Sequence, residues 1–211
     1  MDPLSPVEAR VLGCLLEKQV LTPDAYPLTL NYLVGACNQK TSREPVMELG
    51  EVEVALALVS LRKKNLAVEN KMHDSRVLKY SHHILSLGSF SSKEQAALCL
   101  LLLRGPQTSG EIRTRSGRLA EFESVADADS VMLGLTEKSL GDSPGPLVAK
   151  LARRAGEKEP RWCQLMSGPV ESQESAASPA PQGLEARVAA LEAQIQGLKE
   201  AMQKLSEPPA P

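Results

Sequence analysis

Apolar positions recur along this chain with a helical period, and they do so in two matching blocks. SPVEARVLGCLLEK (5–18) and SSKEQAALCLLLLR (91–104) align without a gap. Each opens Ser-x-x-Glu, a capping box in which Ser5 or Ser91 satisfies free backbone N–H groups and the Glu reaches back. Each closes on a cation, Lys18 or Arg104, which suits a helix C-terminus. After Lys18 a proline-bearing stretch leads to a second helix predicted over about 29–38. After Arg104, Gly105-Pro106 break the chain and a further capping box, Thr108-x-x-Glu111, opens a helix to about Leu119. A third helix follows in each half, over roughly 51–64 and 125–138. Val54, Leu58 and Leu61 in the first, and Val131 and Leu135 in the second, each predict one buried stripe.

Two short β-prone runs close each half. LAVEN and RVLKYS flank KMHDS in the first, and LVAKLAR and RWCQLM flank RAGEKEP in the second. Both pairs read as hairpins. Three helices followed by a hairpin, with the second and third helices as a helix-turn-helix, make a winged helix. The expectation is a mainly α fold with small β-hairpin wings: two tandem winged helix-turn-helix domains, over residues 1–85 and 86–168, plus a C-terminal coiled-coil helix.

That last helix is read from residues 184–206, behind a Pro/Ser/Ala-rich linker (169–183) that lacks the means to build a core. Leu184, Val188, Leu191, Ile195, Leu198, Met202 and Leu205 alternate spacings of four and three. Leucine holds every d position, and Val188, Ile195 and Met202 hold a, a pattern that favours a parallel dimer. Arg187 at g would face Glu192 at e of the partner. The alternative is an amphipathic helix docked on its own body. Residues 207–211 read as a disordered tail.

Composition narrows the class. With two Phe, three Tyr and one Trp among 211 residues, the core must be built of Leu, Val and Ala. Residues 1–85 carry 10 basic and 10 acidic side chains, residues 86–168 carry 11 and 10, and residues 169–211 carry 3 and 6. No segment has the basic excess of an obligate nucleic-acid binder. Cys14, Cys37 and Cys99 lie in apolar runs and read as small buried hydrophobes; with Cys163 they form no CxxC pair or zinc cluster. No charged-then-apolar leader opens the sequence, and the longest apolar run, 96–103, is too short to span a bilayer. A soluble cytoplasmic protein without cofactor, metal or membrane partner is expected. Catalysis is not: Ser60-x-x-Lys63 matches a nucleophile motif only formally, His82 and His83 are adjacent, and no phosphate-binding glycine loop or HExxH occurs.

LSPVEARVLGCLLEKQVLTPDAYPLTLNYLVGACNQKTSREPVMEL and LLLRGPQTSGEIRTRSGRLAEF together resemble the bacterial YceH family, tandem winged-helix proteins without an established biochemical role. The resemblance covers about residues 4–168, with ACNQKTSREPV its most specific part. It departs at Gly50, where the family usually has Ser opening the third helix; glycine is a weaker but tolerable N-cap. It also places Asn38–Glu44 in a lengthened connection between the second and third helices. On a duplex, Lys40 and Arg43 would there meet phosphates, Thr41 and Ser42 would add hydroxyl bonds, and Asn38 or Gln39 would reach a base edge or phosphate. The alternative is internal: Asn38 ends the helix, Lys40 complements its dipole and Arg43 bridges to the second half.

Double-stranded DNA is therefore one expected partner. Arg113, Arg115 and Arg118 crowd the second helix of the second half; Lys71, Arg76 and Lys79 sit in the first wing, and Arg153, Arg154, Lys158 and Arg161 in the second. All would act on phosphates, unless such faces are merely solvated, with Glu111 and Arg115 as an i,i+4 pair. The third helices argue otherwise. Glu48, Glu51 and Glu53 precede or open one; Glu123, Asp127 and Asp129 the other. Carboxylates there repel phosphates and favour the second expected partner, a protein, for which Ala55, Leu56 and Val59 would supply an apolar patch.

Overall fold

The computed structural model describes residues 2–71, 77–140, 143–153 and 156–168. These belong to one compact unit, Met1–Val170. Arg76 and Arg154 fall outside the described residues, as do the linker, the heptad segment and the tail.

Helix α1 (Pro6–Leu21) starts at the expected box: the Glu8 N–H donates to Ser5 Oγ (3.2 Å) and the Ser5 N–H to Glu8 Oε2 (2.6 Å). Every residue from Glu8 to Lys18 is buried, so α1 is a central helix rather than an amphipathic surface one. Thr29 caps α2 (Leu30–Cys37), and α3 (Glu51–Lys63) begins at Gly50, whose N–H is taken by Glu53 (2.7 Å). Val54, Leu58 and Leu61 are buried as their spacing predicts. Strands β1 (Leu28–Thr29), β2 (Ala67–Asn70) and β3 (Lys79–His82) form an antiparallel sheet in the order β1-β3-β2, with Ala67 opposite His82 and Leu28 opposite Tyr80.

The second half repeats the order. Helix α4 (Ser92–Arg104) opens on the Ser91–Glu94 box and is buried continuously from Ala96 to Leu103. Helix α5 (Ser109–Ser116) is capped by Thr108 and α6 (Val125–Glu137) by Ser124. Strands β4 (Ser139–Leu140), β5 (Ser143–Pro146), β6 (Val148–Lys150) and β7 (Trp162–Gln164) pair antiparallel as β4-β5 and β6-β7. Six helices and small antiparallel sheets thus make the described residues mainly helical, consistent with a winged-helix-like architecture.

Several details differ from expectation. The buried stripe of α6 is Ala128, Met132 and Leu135; Val131 is only half-buried beside it. Helix α5 stops at Ser116, three residues early, where Gly117 follows and the Leu119 N–H turns back to Ser116 O. Strand β1 and the β4-β5 pair are additional. Strand β1 has a counterpart in the second half: Gln107 exchanges backbone hydrogen bonds with Trp162, 2.9 and 2.7 Å, and so ties the segment before α5 to the last strand. Trp162, fully buried, donates its indole N–H to Ser109 Oγ (3.0 Å) and Asp129 Oδ1 (3.2 Å).

One hydrophobic cluster runs through both halves, from Leu4 to Met166. Its spine is α1 against α4. Gly13 lets the two helices close: a Cβ there would lie 2.8 Å from Leu103 Cδ2 and 3.1 Å from Leu102 Cβ. The Cys99 thiol donates to Gly13 O across this contact (3.5 Å).

Candidate functional site

The 13-residue connection between α2 and α3, residues 38–50, is where polar chemistry concentrates. Much of it faces inward. Asn38 clasps the far end of its own loop, donating from Nδ2 to Leu49 O and accepting the Leu49 N–H at Oδ1, both 2.8 Å. Gln39 accepts from Arg43 Nη2 (2.9 Å). Asn38 is thus committed to its own loop, while Gln39, half-buried, also lines the cleft beside that loop.

Arg43, expected at a phosphate or bridging the two halves, does neither. Its side chain is wholly buried, and four acceptors consume its guanidinium: Ala36 O (3.1 Å), Ser42 O (2.9 Å), Gln39 Oε1, and the Glu17 carboxylate bidentately (3.0 and 2.6 Å). The physical reason is at the end of α2, whose last carbonyls lack helical partners. Arg43 Nε caps Ala36 O, and Arg10, also buried, reaches Cys37 O (3.1 Å) and Pro45 O (2.5 Å). Burial alone would push the Glu17 carboxyl up, but the bonds and charges of Arg43 and Lys18 hold it below the usual range. The bridge to the second half is made by the neighbours instead. The Glu44 N–H donates to Leu103 O (2.9 Å), and Arg104 donates to Ser42 Oγ (2.8 Å). Ser42 takes a left-handed conformation, φ 60°, to turn both ways.

Docked this way, the connection forms one wall of a cleft of about 440 Å³. Glu17, Lys18 and the end of α1 share that wall with Lys40, Thr41 and Ser42. The other wall comes from the end of α4, with Arg104, and from Arg115 and Arg118 in and just beyond α5; leucines 21, 100, 103 and 119 also line the cleft. Five cations line the cleft; Lys18 is paired with Glu17, Lys40 with Glu48 and Arg115 with Glu111, which leaves Arg104 and Arg118 without a carboxylate among the described ion pairs. Arg115 shares Glu111 with Arg161 (3.2 and 2.7 Å) and donates to Gln107 Oε1 (2.9 Å). Lys40 meets Glu48 at 3.3 Å, but both are so exposed (75 and 85 %) that the pair is worth little. Burial, and then the nearby charge of Arg115, lower the Arg104 pKa from its ordinary value. The cleft therefore holds uncompensated positive charge.

The structure brings together Lys40, Thr41, Arg115 and Arg118 from the sequence-predicted set. Arg113 is exposed on α5 outside the cleft lining, and Lys71 and Arg153 are exposed elsewhere. In the sequence Lys18 and Arg104 stand only as helix-terminal cations. The signal that pairs them is the repeat itself, since they occupy the same position of the two aligned helices. The acidic third helices also change in meaning. Asp127 is bonded to Lys93 (2.8 Å) and Asp129 to Lys150 (3.1 Å), so much of the charge on α6 is compensated, whereas Glu48, Glu51 and Glu53 beside α3 are exposed. Helix α3 exposes Val52 (72 %), Leu56 (65 %) and Val59 (46 %), adding Val52 to the predicted apolar patch, in which Ala55 is half-buried.

All four cysteines are free and buried. Among the described residues no group of His, Cys, Asp and Glu is placed to hold a metal ion, and no helix is long and apolar enough to cross a membrane.

The fold and cleft define a mainly helical protein with small antiparallel sheets and a concentrated cationic hollow. The family described as "Protein of unknown function, DUF480" matches residues 4–157, and the chain belongs to it. The match takes in every residue that lines the cleft. The chain is similar to a UPF0502 protein of Chromobacterium violaceum, 51% identical over 197 residues, which are 93% of this chain and 87% of that one. It is likewise similar to UPF0502 proteins of Aeromonas hydrophila (43% identical; 97% and 95% covered) and Shewanella halifaxensis (45%; 96% and 98%).

Proposed function

We propose that this is a non-enzymatic DNA-binding protein of two tandem winged-helix domains, residues 1–85 and 86–168, which acts in the cytoplasm as a regulator and grips duplex DNA through its phosphates. In this reading the heptad segment 184–206 pairs two copies. The observation that carries it is the convergence of Lys40 and Thr41, from the first half, with Arg115 and Arg118, from the second, on one hollow. Arg118 has no carboxylate among the described ion pairs, Lys40 has only an exposed one and Arg115 shares Glu111 with Arg161, so the cluster keeps positive charge that can neutralise phosphates and give sequence-independent affinity. The compensated acids of α6 remove part of the repulsion that the sequence implied. Helix α3 is a poor reading element, because its exposed acids repel phosphates and could accept only from a base amino group, and its exposed Val52, Leu56 and Val59 donate nothing.

A second reading rests on that same helix. The row Val52, Leu56 and Val59 is an exposed apolar ridge at i, i+4, i+7, the form in which a helix face meets a protein partner. On this reading the chain is an adaptor, and α3 is its contact.

Anisotropy of a labelled random duplex with the full-length protein, from about 50 to 200 mM salt, separates the two. DNA binding predicts affinity that falls by orders of magnitude across this range, and a loss in Lys40→Ala and Arg113→Gln without any change in melting temperature. Absence of binding at the lowest salt would overturn the DNA reading and leave the α3 ridge as the functional surface.

A further inference from the structure

The cleft has properties that phosphate contact with a duplex does not require. It is concave, about 440 Å³, within the range of small-molecule sites, and leucines line part of it. Its cations stand on two walls: Lys18 and Lys40 on one, Arg104, Arg115 and Arg118 on the other. A duplex backbone running over the surface would use the rim, whereas Leu21 and Leu119, both half-buried, offer apolar surface in the lining of the cleft.

We propose that the cleft binds a small phosphorylated ligand of the diphosphate type, an organic diphosphate such as a nucleoside diphosphate. Two linked phosphoryl groups match cations offered from two sides better than one phosphate does, and each can accept a bidentate guanidinium. The organic group lies on Leu21 and Leu119, the half-buried leucines of the lining. Arg104 is the central donor. It is half-buried, its described side-chain hydrogen bond goes to the neutral Ser42 hydroxyl, and Arg115 crowds it with like charge, which an anion between them would relieve. Thr41 and Ser42 add hydroxyls at the same wall. The site joins the α2–α3 connection to α4 and α5, so a bound diphosphate would hold the two halves together and occupy Lys40, Arg115 and Arg118. It would therefore compete with DNA for those three residues, and only that competition rests on the DNA reading.

The probes are inorganic pyrophosphate and ADP, titrated into the full-length protein by isothermal calorimetry at constant ionic strength, with sulfate as the control for general salt effects. Saturable one-to-one binding of pyrophosphate is expected, tighter for ADP and absent for sulfate. Arg104→Gln should weaken it by about tenfold or more, the cost of one charge-assisted bidentate contact. Lys63→Gln, exposed on α3 and outside the cleft lining, should leave it unchanged, and Arg104→Lys, which keeps the charge, should restore part of it. Circular dichroism of Arg104→Gln checks that the fold persists. Failure of pyrophosphate to saturate, or equal binding by wild type and folded Arg104→Gln, would overturn the proposal. Equal affinity for ADP and pyrophosphate would overturn the placement of an organic group on the leucines. Failure of the DNA reading looks different: ADP binds and responds to Arg104→Gln, while duplex anisotropy stays flat in every variant.

Discussion

Replacing Arg43 by alanine tests whether the most polar connection in the chain is built for stability or for contact. The wild-type guanidinium is fully buried and meets the Glu17 carboxylate bidentately, while Glu17 itself is almost wholly enclosed. Arg43→Ala leaves that carboxylate buried with only Lys18, 3.1 Å away, and strips the cap from Ala36 O. Breaking a buried pair from one side costs about 3–5 kcal/mol, and the surviving Lys18 argues for the low end, about 3 kcal/mol. For a unit of this size that lowers Tm by roughly 6–12 °C. The sign with pH follows. In the wild type the folded Glu17 pKa lies below its unfolded value, so the contribution is present above pH ~4.5 and is lost as pH falls further. In the variant, burial is opposed by Lys18 alone and the folded pKa rises from its wild-type value, so protonation relieves the strain and the deficit shrinks on acidification. Arg43→Ala/Glu17→Gln, with no carboxylate to strand, should be more stable than Arg43→Ala alone. Scanning calorimetry at pH 5 and 7.5 reads all of this. A variant that melts within about 2 °C of wild type, or a deficit that ignores both pH and Glu17→Gln, would refute the reasoning and return Arg43 to the list of groups free to meet a ligand.

Other residues make separate tests. Gly13→Val should cost more than Gly13→Ala in thermal unfolding, because alanine's better helix propensity, about 1 kcal/mol, offsets part of an overpacking cost of about 1–3 kcal/mol against Leu102 and Leu103. Asn38→Ala strands both backbone groups of Leu49 and should lose about 1–3 kcal/mol, with faster amide exchange concentrated in residues 38–50. Burial, then the charge of His83, press the His82 pKa down to about 4, below its unfolded value near 6.5. Its contribution is therefore complete above pH 6.5 and drains away as pH falls toward 4, by up to about 3 kcal/mol; His82→Gln should flatten Tm between pH 5 and 6.5. Leu56→Lys, on the exposed ridge of α3, should leave Tm within the shift that about 0.5 kcal/mol produces.

What the sequence made legible was set by local chemistry. Ser5, Ser91 and Thr108 cap where their boxes place them, because a cap needs only residues three apart. The strands β2, β3, β6 and β7 could be read from β-prone runs for the same reason. Strand β1 could not: Leu28–Thr29 is too short to carry a pattern, and it exists because β3 offers an edge. The third-helix stripe shifted from Val131 to Met132 because Ala128, small enough to be invisible as a hydrophobic anchor, sets the buried phase of α6.

The site divides along the same line, between charge that a sequence displays and partners that only the fold assigns. Lys40 and Arg43 stand three residues apart in one loop and look equivalent on paper. One is a surface cation beside Glu48; the other is the buried cap of α2. What separates them is Glu17, which lies in α1 between Leu16 and Lys18 and gives no sign in the sequence of needing a guanidinium. Arg43 is pulled inward by it, and its withdrawal turns Ser42 and Glu44 outward onto α4. That contact sets Lys40 and Thr41 in one cleft with Arg104 and Arg115. The polarity of ACNQKTSREP is thus spent mostly on fixing the loop, and the remainder is presented at the wall it forms. Disrupting the buried half should therefore degrade the exposed half as well. Asn38→Ala, which removes no cation, should weaken pyrophosphate binding as the wall loosens, and undiminished affinity in that variant would show the two halves to be independent.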